Sequence, residues 1–121
     1  MTLAGKRVLV VEDEMLITLE IVDELKNAGC TVIGPGRRLE AAIALARGEE
    51  LDAAVLDVNL AGHFVWPAAE ALASRNVPFM FLTGFGPELE FPPEFAAARR
   101  LEKPVMPGSV AEALAVLFSS L

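Results

Sequence analysis

The sequence predicts an α/β fold: a doubly wound parallel sheet of five strands with helices on both faces. Two observations lead to this prediction. Short apolar runs alternate five times along the chain with segments of helical periodicity. These runs are almost continuously apolar, which is typical of parallel strands buried on both faces. The 121 residues are enough for one domain, residues 1–121.

Five runs are assigned as strands, and each ends at polar residues or at a turn. In chain order they span residues 6–11, 31–33, 53–56, 78–82 and 99–102. The second run is the weakest, because Gly34, Pro35 and Gly36 are expected to break it.

The helices are predicted between these runs, at residues 14–28, 39–46, 63–74 and 109–120. Pro67 requires the third helix to begin near Trp66 or to bend there. The prolines and glycine at positions 86, 87, 92 and 93 leave space for only a short helix at residues 94–98 before the fifth strand. Ser109 is expected to cap the last helix.

The first helix carries two apolar stripes. One stripe should face the sheet; it consists of Ile17, Ile21, Leu25 and Ala28. The other lies on nearly the opposite side; it consists of Met15, Leu19 and Val22. The second stripe is either covered or available to a partner.

Composition and charge exclude several classes of function. The formal net charge of −7 should repel phosphate backbones, so nucleic acid is not an expected partner. The first residues lack a signal-peptide pattern and there is no run of eighteen apolar residues, so we expect a cytoplasmic protein with no membrane partner. The single Cys30 cannot form an internal disulfide and is expected to be a buried thiol.

Polar residues whose side chains can take part in binding or catalysis follow four of the five strands. Glu12 and Asp13 follow the first strand, Asp57 the third, Thr83 the fourth and Lys103 the fifth. The carboxyl ends of parallel strands meet at one edge of a sheet, where open α/β sheets bind ligands. These side chains are therefore expected to lie close together.

Three clustered carboxylates need a positive partner. Two unit charges 4 Å apart repel by about 4 kcal/mol at an effective dielectric near 20. Mg²⁺ suits such a site, because it prefers oxygen ligands and keeps positions for water or a phosphate oxygen. The expected ligands are Asp13 and Asp57, with Glu12 acting through a water and Asn59 through its carbonyl.

A carboxylate neutralised in this way can act as a nucleophile towards phosphorus. Asp57 would form an aspartyl phosphate. The Thr83 hydroxyl and the Lys103 ammonium would hold the phosphoryl oxygens.

As a set, these motifs resemble the receiver domain of two-component response regulators, and the resemblance covers essentially the whole chain. It implies a flavodoxin-like, CheY-like sheet of strand order 2-1-3-4-5. It also implies a phosphoacceptor at Asp57, an acidic Mg²⁺ pocket at Glu12 and Asp13, a switch hydroxyl at Thr83, and a phosphate-binding Lys103 followed by a cis peptide to Pro104. The stretch PFMFLTGFG further resembles the narrower FAT GUY group, which is mostly stand-alone and occurs in alphaproteobacterial signalling, although Leu82 stands where that motif has alanine.

Three features depart from the general receiver pattern. Arg100 occupies the position, three before Lys103, that is usually an aromatic switch residue. The loop after Asp57 lacks the usual Met-Pro pair. The shortened fourth helix removes much of the face through which receivers usually dimerise, so we expect a monomer.

The resulting functional hypothesis is a single-domain response regulator. A sensor histidine kinase or phosphotransfer protein would phosphorylate Asp57, and the signal would pass to a downstream protein by binding or onward phosphotransfer. Such a protein is not an enzyme beyond its own phosphorylation and dephosphorylation. Two alternatives stay open: a receiver-fold binding module that is not phosphorylated, and a small aspartate-nucleophile phosphohydrolase. The second usually needs an acid two residues after the nucleophile, where this chain has Asn59.

Four further positions have two interpretations each. His63 could touch a phosphoryl group or face solvent, and the second is favoured. Phe64 and Trp66 could anchor a partner or pack at the start of the third helix, and packing is favoured. Phe85 could gate the site or belong to the core.

Overall fold

A five-stranded parallel sheet forms the centre of the computed structural model, which describes residues 3–85 and 89–120. Its strands lie in the order β2-β1-β3-β6-β7, which confirms the predicted fold class and strand order. The sheet contains β1 (Arg7–Val11), β2 (Thr31–Gly36), β3 (Ala53–Asp57), β6 (Phe79–Thr83) and β7 (Arg100–Glu102). A separate antiparallel pair follows β3 and consists of β4 (Asn59–Leu60) and β5 (His63–Phe64). The helices are α1 (Met15–Asn27), α2 (Leu39–Gly48), α3 (Trp66–Ser74) and α4 (Ser109–Ser119).

The central strand β3 is buried on both faces. Ala54 and Leu56 pack in a core cluster with residues of α2 and α3, whereas Ala53 and Val55 pack in a second cluster with residues of α1 and α4. Successive side chains of a strand point to opposite faces, so an unbroken apolar run is what this position requires. Cys30 is buried in the second cluster, as predicted, and burial raises the pKa of its thiol.

The second strand continues through the residues that were expected to break it. β2 runs to Gly36, whose carbonyl accepts the Glu12 N–H at 3.1 Å, and its register against β1 shifts between Leu9 and Val11. Gly34 has φ +98°, and a Cβ there would lie 2.9 Å from the Val10 carbonyl oxygen. Glycine at position 34 therefore allows an irregular strand where the sequence suggested an end.

The apolar stripes of α1 fall as predicted. Ile21 and Leu25 are fully buried against the sheet. On the other side Met15 and Leu19 are 54% and 56% exposed, whereas Val22 is half-buried, so the stripe is open mainly at its first two residues.

The third helix begins at Trp66, with Pro67 in its first turn, and not at His63. His63 and Phe64 instead form β5, opposite Leu60 and Asn59. The helix thus begins at Trp66, as the position of Pro67 required, and residues 63–65 of the predicted segment lie outside it. The intervening turn has Ala61 at φ 49° and Gly62 at φ 92°, and this left-handed backbone favours a hairpin over a helix start.

The segment between β6 and β7 holds even less helix than expected. Instead of a helix at residues 94–98, the described part has one 3₁₀ turn, Pro93–Phe95. Pro92 and Pro93 stand at the N-cap and first position of this turn, where a missing N–H costs nothing. The N–H groups of Ala96 and Ala98 donate to carbonyls three residues back, so the segment forms tight turns and not an α-helix. Gly86 and Pro87, which were also expected to limit this helix, lie outside the described residues.

The amino end of α4 is capped by α1. The Glu24 carboxylate accepts the N–H groups of Gly108 at 3.1 Å and of Ala111 at 2.6 Å. The Ser109 hydroxyl donates to the Met106 carbonyl instead, so the predicted Ser109 cap is wrong. A carboxylate that satisfies two free N–H groups at the positive end of a helix replaces the local cap.

Phe81 is fully buried at the centre of an aromatic cluster, with its ring centroid 5.2–5.9 Å from those of four other rings. These rings belong to Trp66, Phe79, Phe91 and Phe95. We expect Phe81→Ala to lower the free energy of unfolding by about 3–5 kcal/mol, because it leaves a cavity among them. Urea unfolding followed by circular dichroism measures this. Phe64→Ala, at a 46% exposed ring, is the control and should cost far less. Equal costs would contradict this packing.

None of the helices in the described part of the chain combines the length and apolarity that spanning a bilayer demands.

Candidate functional site

The candidate site lies at the carboxyl edge of the sheet, where four strands end side by side. Val11 of β1 pairs with Leu56 of β3, and Asp57 pairs with Leu82 of β6. Thr83 in turn pairs with Glu102 of β7. This register places the residues that follow each strand along one rim.

Lys103 lies among three carboxylates from two separate segments. Its Nζ is 3.1 Å from Glu12 Oε1, 3.2 Å from Asp57 Oδ2 and 3.9 Å from Glu14 Oε1. One carboxylate oxygen from each of Glu12, Asp13 and Asp57 lies within 4.8 Å of the others. Glu12 is fully buried and Asp57 is 3% exposed. The structure therefore brings together four of the residues expected at this edge.

Asp13 is held by groups that the sequence did not indicate. Its Oδ2 accepts the N–H of Ala61, at the tip of the β4–β5 hairpin, at 3.0 Å. Its backbone carbonyl accepts a hydrogen bond from the Arg37 guanidinium at 3.1 Å. Both partners are distant in sequence and belong to turns without a recognisable motif, so no local pattern could have revealed them.

Asn59 sits next to the site and shapes the hairpin. Its N–H donates to Asp57 Oδ1 at 3.4 Å, and its side-chain oxygen accepts the N–H of Gly62 at 2.9 Å. The side chain is thus engaged in the turn. The predicted ligand atom, the Asn59 carbonyl oxygen, forms none of these bonds.

The Thr83 hydroxyl is buried and contacts the Phe85 backbone. It accepts the Phe85 N–H at 3.0 Å. Phe85 is 40% exposed and its ring lies 6.4 Å from that of Phe64, so the core interpretation of Phe85 is wrong. His63 is exposed, as favoured.

The Arg100 guanidinium, where receivers usually carry an aromatic ring, lies 3.5 Å from the centroid of the Phe91 ring. The Lys103–Pro104 peptide is cis, as the resemblance implied.

The electrostatics of the site oppose ionisation of Asp57. Burial, together with a hydrogen bond and the charge of Glu12, raises the pKa of Asp57 to about 8 despite the nearby Lys103. Burial alone would lower the pKa of Lys103, but the charges of Asp57 and Glu12 outweigh it and raise that pKa. One ammonium is therefore too little positive charge for three carboxylates.

We expect Asp57→Asn to stabilise the metal-free protein at pH 8 by about 1–3 kcal/mol. The pKa of Asp57 is near 3.8 in the unfolded chain and about 8 in the folded one. The folded state thus keeps a proton that the unfolded state releases, so the free energy of unfolding falls between pH 4 and pH 8. The Asn variant lacks this loss. Urea unfolding in EDTA at pH 5 and pH 8 measures the difference, and a variant less stable than the parent at pH 8 would contradict it.

The donor set fits a hard divalent cation. It consists of carboxylate oxygens, and Glu12 Oε1 is buried without a hydrogen bond of good geometry to any described residue, although Lys103 is near. Buried oxygens without a partner are costly, and a cation would satisfy them. The cluster could thus hold a metal ion beside a carboxylate and an ammonium.

Comparison with known proteins places this chain in one class. No protein-family model matches the chain. Its structure is similar to SdrG from Sphingomonas melonis Fr1, with 37% identity, a TM-score of 0.79, and coverage of 98% of this chain and 99% of SdrG. The BeF3-activated conformation of SdrG, from Pseudomonas melonis Fr1, aligns at 39% identity over 94% of this chain, with coverage of 97% of that SdrG chain and a TM-score of 0.76. The response regulator PhyR from Brucella abortus aligns at 27% identity over 98% of this chain and 50% of PhyR, with a TM-score of 0.81.

A curated relative points to the same class. The transcriptional regulatory protein PdtaR of Mycobacterium tuberculosis is 31% identical over 81 residues, which are 66% of this chain and 40% of PdtaR. The match thus spans well under half of that relative's length. The chain belongs to the response regulator receiver domain family.

Proposed function

We propose that the chain is a phosphoacceptor response regulator in which Asp57 receives a phosphoryl group from a histidine kinase or a phosphotransfer protein. One observation supports this most: the carboxylate of Asp57 lies at the end of a central strand, close to the carboxylates of Glu12 and Asp13 and 3.2 Å from the Lys103 ammonium. Independent turn residues would have no reason to converge there. SdrG, which is similar over its whole length, has a BeF3-activated conformation.

The proposed metal is Mg²⁺, held by Asp13, Asp57 and the Asn59 carbonyl, with Glu12 acting through a water. When bound, the ion would neutralise the carboxylates and offer a position to a phosphoryl oxygen. The same charge would favour the ionised form of Asp57, whose pKa of about 8 leaves it mostly protonated at neutral pH without a cation.

In the proposed transfer, a carboxylate oxygen of Asp57 forms a bond to phosphorus. The P–N bond of the donor phosphohistidine breaks, and its electron pair stays on the imidazole, which is protonated. The Lys103 ammonium, already beside Asp57, stabilises the negative charge of the transferring oxygens. The Thr83 hydroxyl becomes a further donor to the phosphoryl group once it leaves the Phe85 backbone.

The output of this reaction is a change in protein binding or onward phosphotransfer. Phosphorylation adds roughly two negative charges at the rim, which draws Thr83 and Lys103 towards them and biases the segment after β6. The second stripe of α1 (Met15, Leu19 and Val22), of which Met15 and Leu19 are exposed, is proposed to receive the donor. Beyond its own phosphorylation and dephosphorylation the chain is proposed to have no enzymatic activity, and it is proposed to be monomeric.

The test is labelling with ³²P acetyl phosphate. We expect the purified chain to take up at most one phosphoryl group, with the lability to base that acyl phosphates show, and uptake should be lost in EDTA and restored by Mg²⁺. Labelling that EDTA does not change would contradict the metal. Mg²⁺ binding with no labelling by any donor would favour a binding module that is not phosphorylated.

A further inference from the structure

A cleft of about 420 Å³ opens beside Asp13 and is lined by Asp13, Arg37, Arg38 and Ala61. The two arginines stand directly before α2, and the Arg37 guanidinium contacts the backbone carbonyl of Asp13. The cleft therefore adjoins the carboxylate cluster, and its chemistry is different, since its charged groups are mainly cationic.

The charge of these arginines is not neutralised by a carboxylate of the described residues. Within residues 3–85 and 89–120, neither guanidinium forms an ion pair, and Arg37 donates only to the backbone carbonyl of Asp13. A guanidinium has five N–H donors in a fixed fork that matches phosphate. Two such groups side by side in a chain of net charge −7 form a local site for an anion.

Such a site would assist the proposed phosphotransfer. A donor phosphoryl group carries negative charge and must approach Glu12, Asp13, Glu14 and Asp57, against which the described cluster offers one ammonium. Long-range repulsion would slow its arrival, whereas a cationic rim lowers that barrier.

We propose that Arg37 and Arg38 hold the phosphoryl dianion of the phosphodonor at this cleft before its transfer to Asp57. This inference rests on the proposed function. The pair contacts the donor and leaves the metal to the carboxylates. Removing the two positive charges should therefore weaken donor binding and leave Mg²⁺ affinity the same or higher, because two cations that repel the ion are gone.

The experiment compares the parent with the double variant Arg37→Gln/Arg38→Gln. Glutamine removes the charge but can still donate to the Asp13 carbonyl. Arg47→Gln/Arg99→Gln is the matched control, since both arginines are exposed, lie away from this rim, and change the net charge equally. Three quantities are measured: binding of phosphonoacetate, which cannot transfer its phosphorus, by ³¹P NMR; Mg²⁺ binding by the emission of Trp66, the only tryptophan; and labelling by acetyl phosphate and by phosphoramidate.

We expect the dissociation constant of phosphonoacetate and the half-saturating acetyl phosphate concentration to rise about 5–20-fold at low salt, and the effect to shrink at 0.5 M salt. The Mg²⁺ dissociation constant should stay the same or fall. If the half-saturating concentration of phosphoramidate rises as well, the arginine pair binds any phosphoryl donor, including phosphohistidine. If only that of acetyl phosphate rises, the pair binds small acyl phosphates.

Two results would overturn the inference. Equal weakening of Mg²⁺ and phosphonoacetate binding would make Arg37 a structural anchor of Asp13. No change relative to the control variant would make both arginines ordinary surface residues. Phosphonoacetate binding by a parent chain that no donor labels would instead refute the proposed function, and the binding comparison would still decide the role of the arginines.

Discussion

Asp57→Asn should abolish phosphoryl incorporation, with a loss on the order of 100-fold or more. The substitution keeps the shape of the side chain but replaces the nucleophilic carboxylate by an amide. It also leaves Glu12 to pair with Lys103 at 3.1 Å, so the fold should survive. Labelling with ³²P acetyl phosphate and Mg²⁺, scored on denaturing gels, measures the loss.

Asp52→Asn is the matched control for this experiment. Asp52 lies directly before β3, at the opposite end of the same strand, and accepts the Arg7 N–H at 2.8 Å. Its variant should be labelled like the parent. If Asp57→Asn were labelled as well, the phosphoacceptor assignment would be wrong.

The second large effect is expected for Lys103→Gln, which should slow phosphorylation by about 100-fold. The ammonium is the one cation within 4 Å of both Asp57 and Glu12 among the described residues, so its loss removes the charge that stabilises the transferring phosphoryl group. Initial labelling rates at saturating Mg²⁺ measure this effect.

Mg²⁺ affinity should respond to the same substitution in the opposite direction. Without Lys103 the carboxylates lack their positive neighbour and should bind the cation several-fold more tightly. Lys26→Gln, at an exposed position near the end of α1, controls for the change in net charge. If Lys103→Gln weakened metal binding and labelling together, Lys103 would be a structural residue and its role in transfer would be refuted.

The sequence predicts the parts of this molecule that depend on strand topology. Asp57 and Lys103 each follow a strand-length run, and parallel strands place such residues at one edge whatever their separation along the chain. Strand topology alone therefore predicts that these side chains cluster, before any interatomic distance is known. The extreme electrostatics of the cluster could not be predicted, because the burial of Glu12 and Asp57 depends on packing by several elements.

Contacts between turns lie beyond this reasoning. Each of the two bonds that hold Asp13 has a backbone group as one partner, the Ala61 N–H in one and the Asp13 carbonyl in the other. Backbone donors and acceptors exist at almost every residue, so nothing in the sequence singles these out. The same holds for Glu24, which caps α4 by accepting the N–H of Gly108, 84 residues away. A rule based on local sequence alone therefore predicts the wrong cap. Ser109 has the right chemistry, but the carboxylate of Glu24 from α1 accepts the free N–H groups instead.

The central claim is that the carboxylate of Asp57 accepts the phosphoryl group. Borohydride reduction of the freshly phosphorylated chain, followed by peptide mass spectrometry, tests it most directly, because hydride displaces phosphate from an aspartyl phosphate and leaves homoserine. We expect homoserine at position 57 and at no other position. Homoserine at position 13, the corresponding reduced residue at position 12, or phosphate retained on a hydroxyl or imidazole side chain would contradict the account.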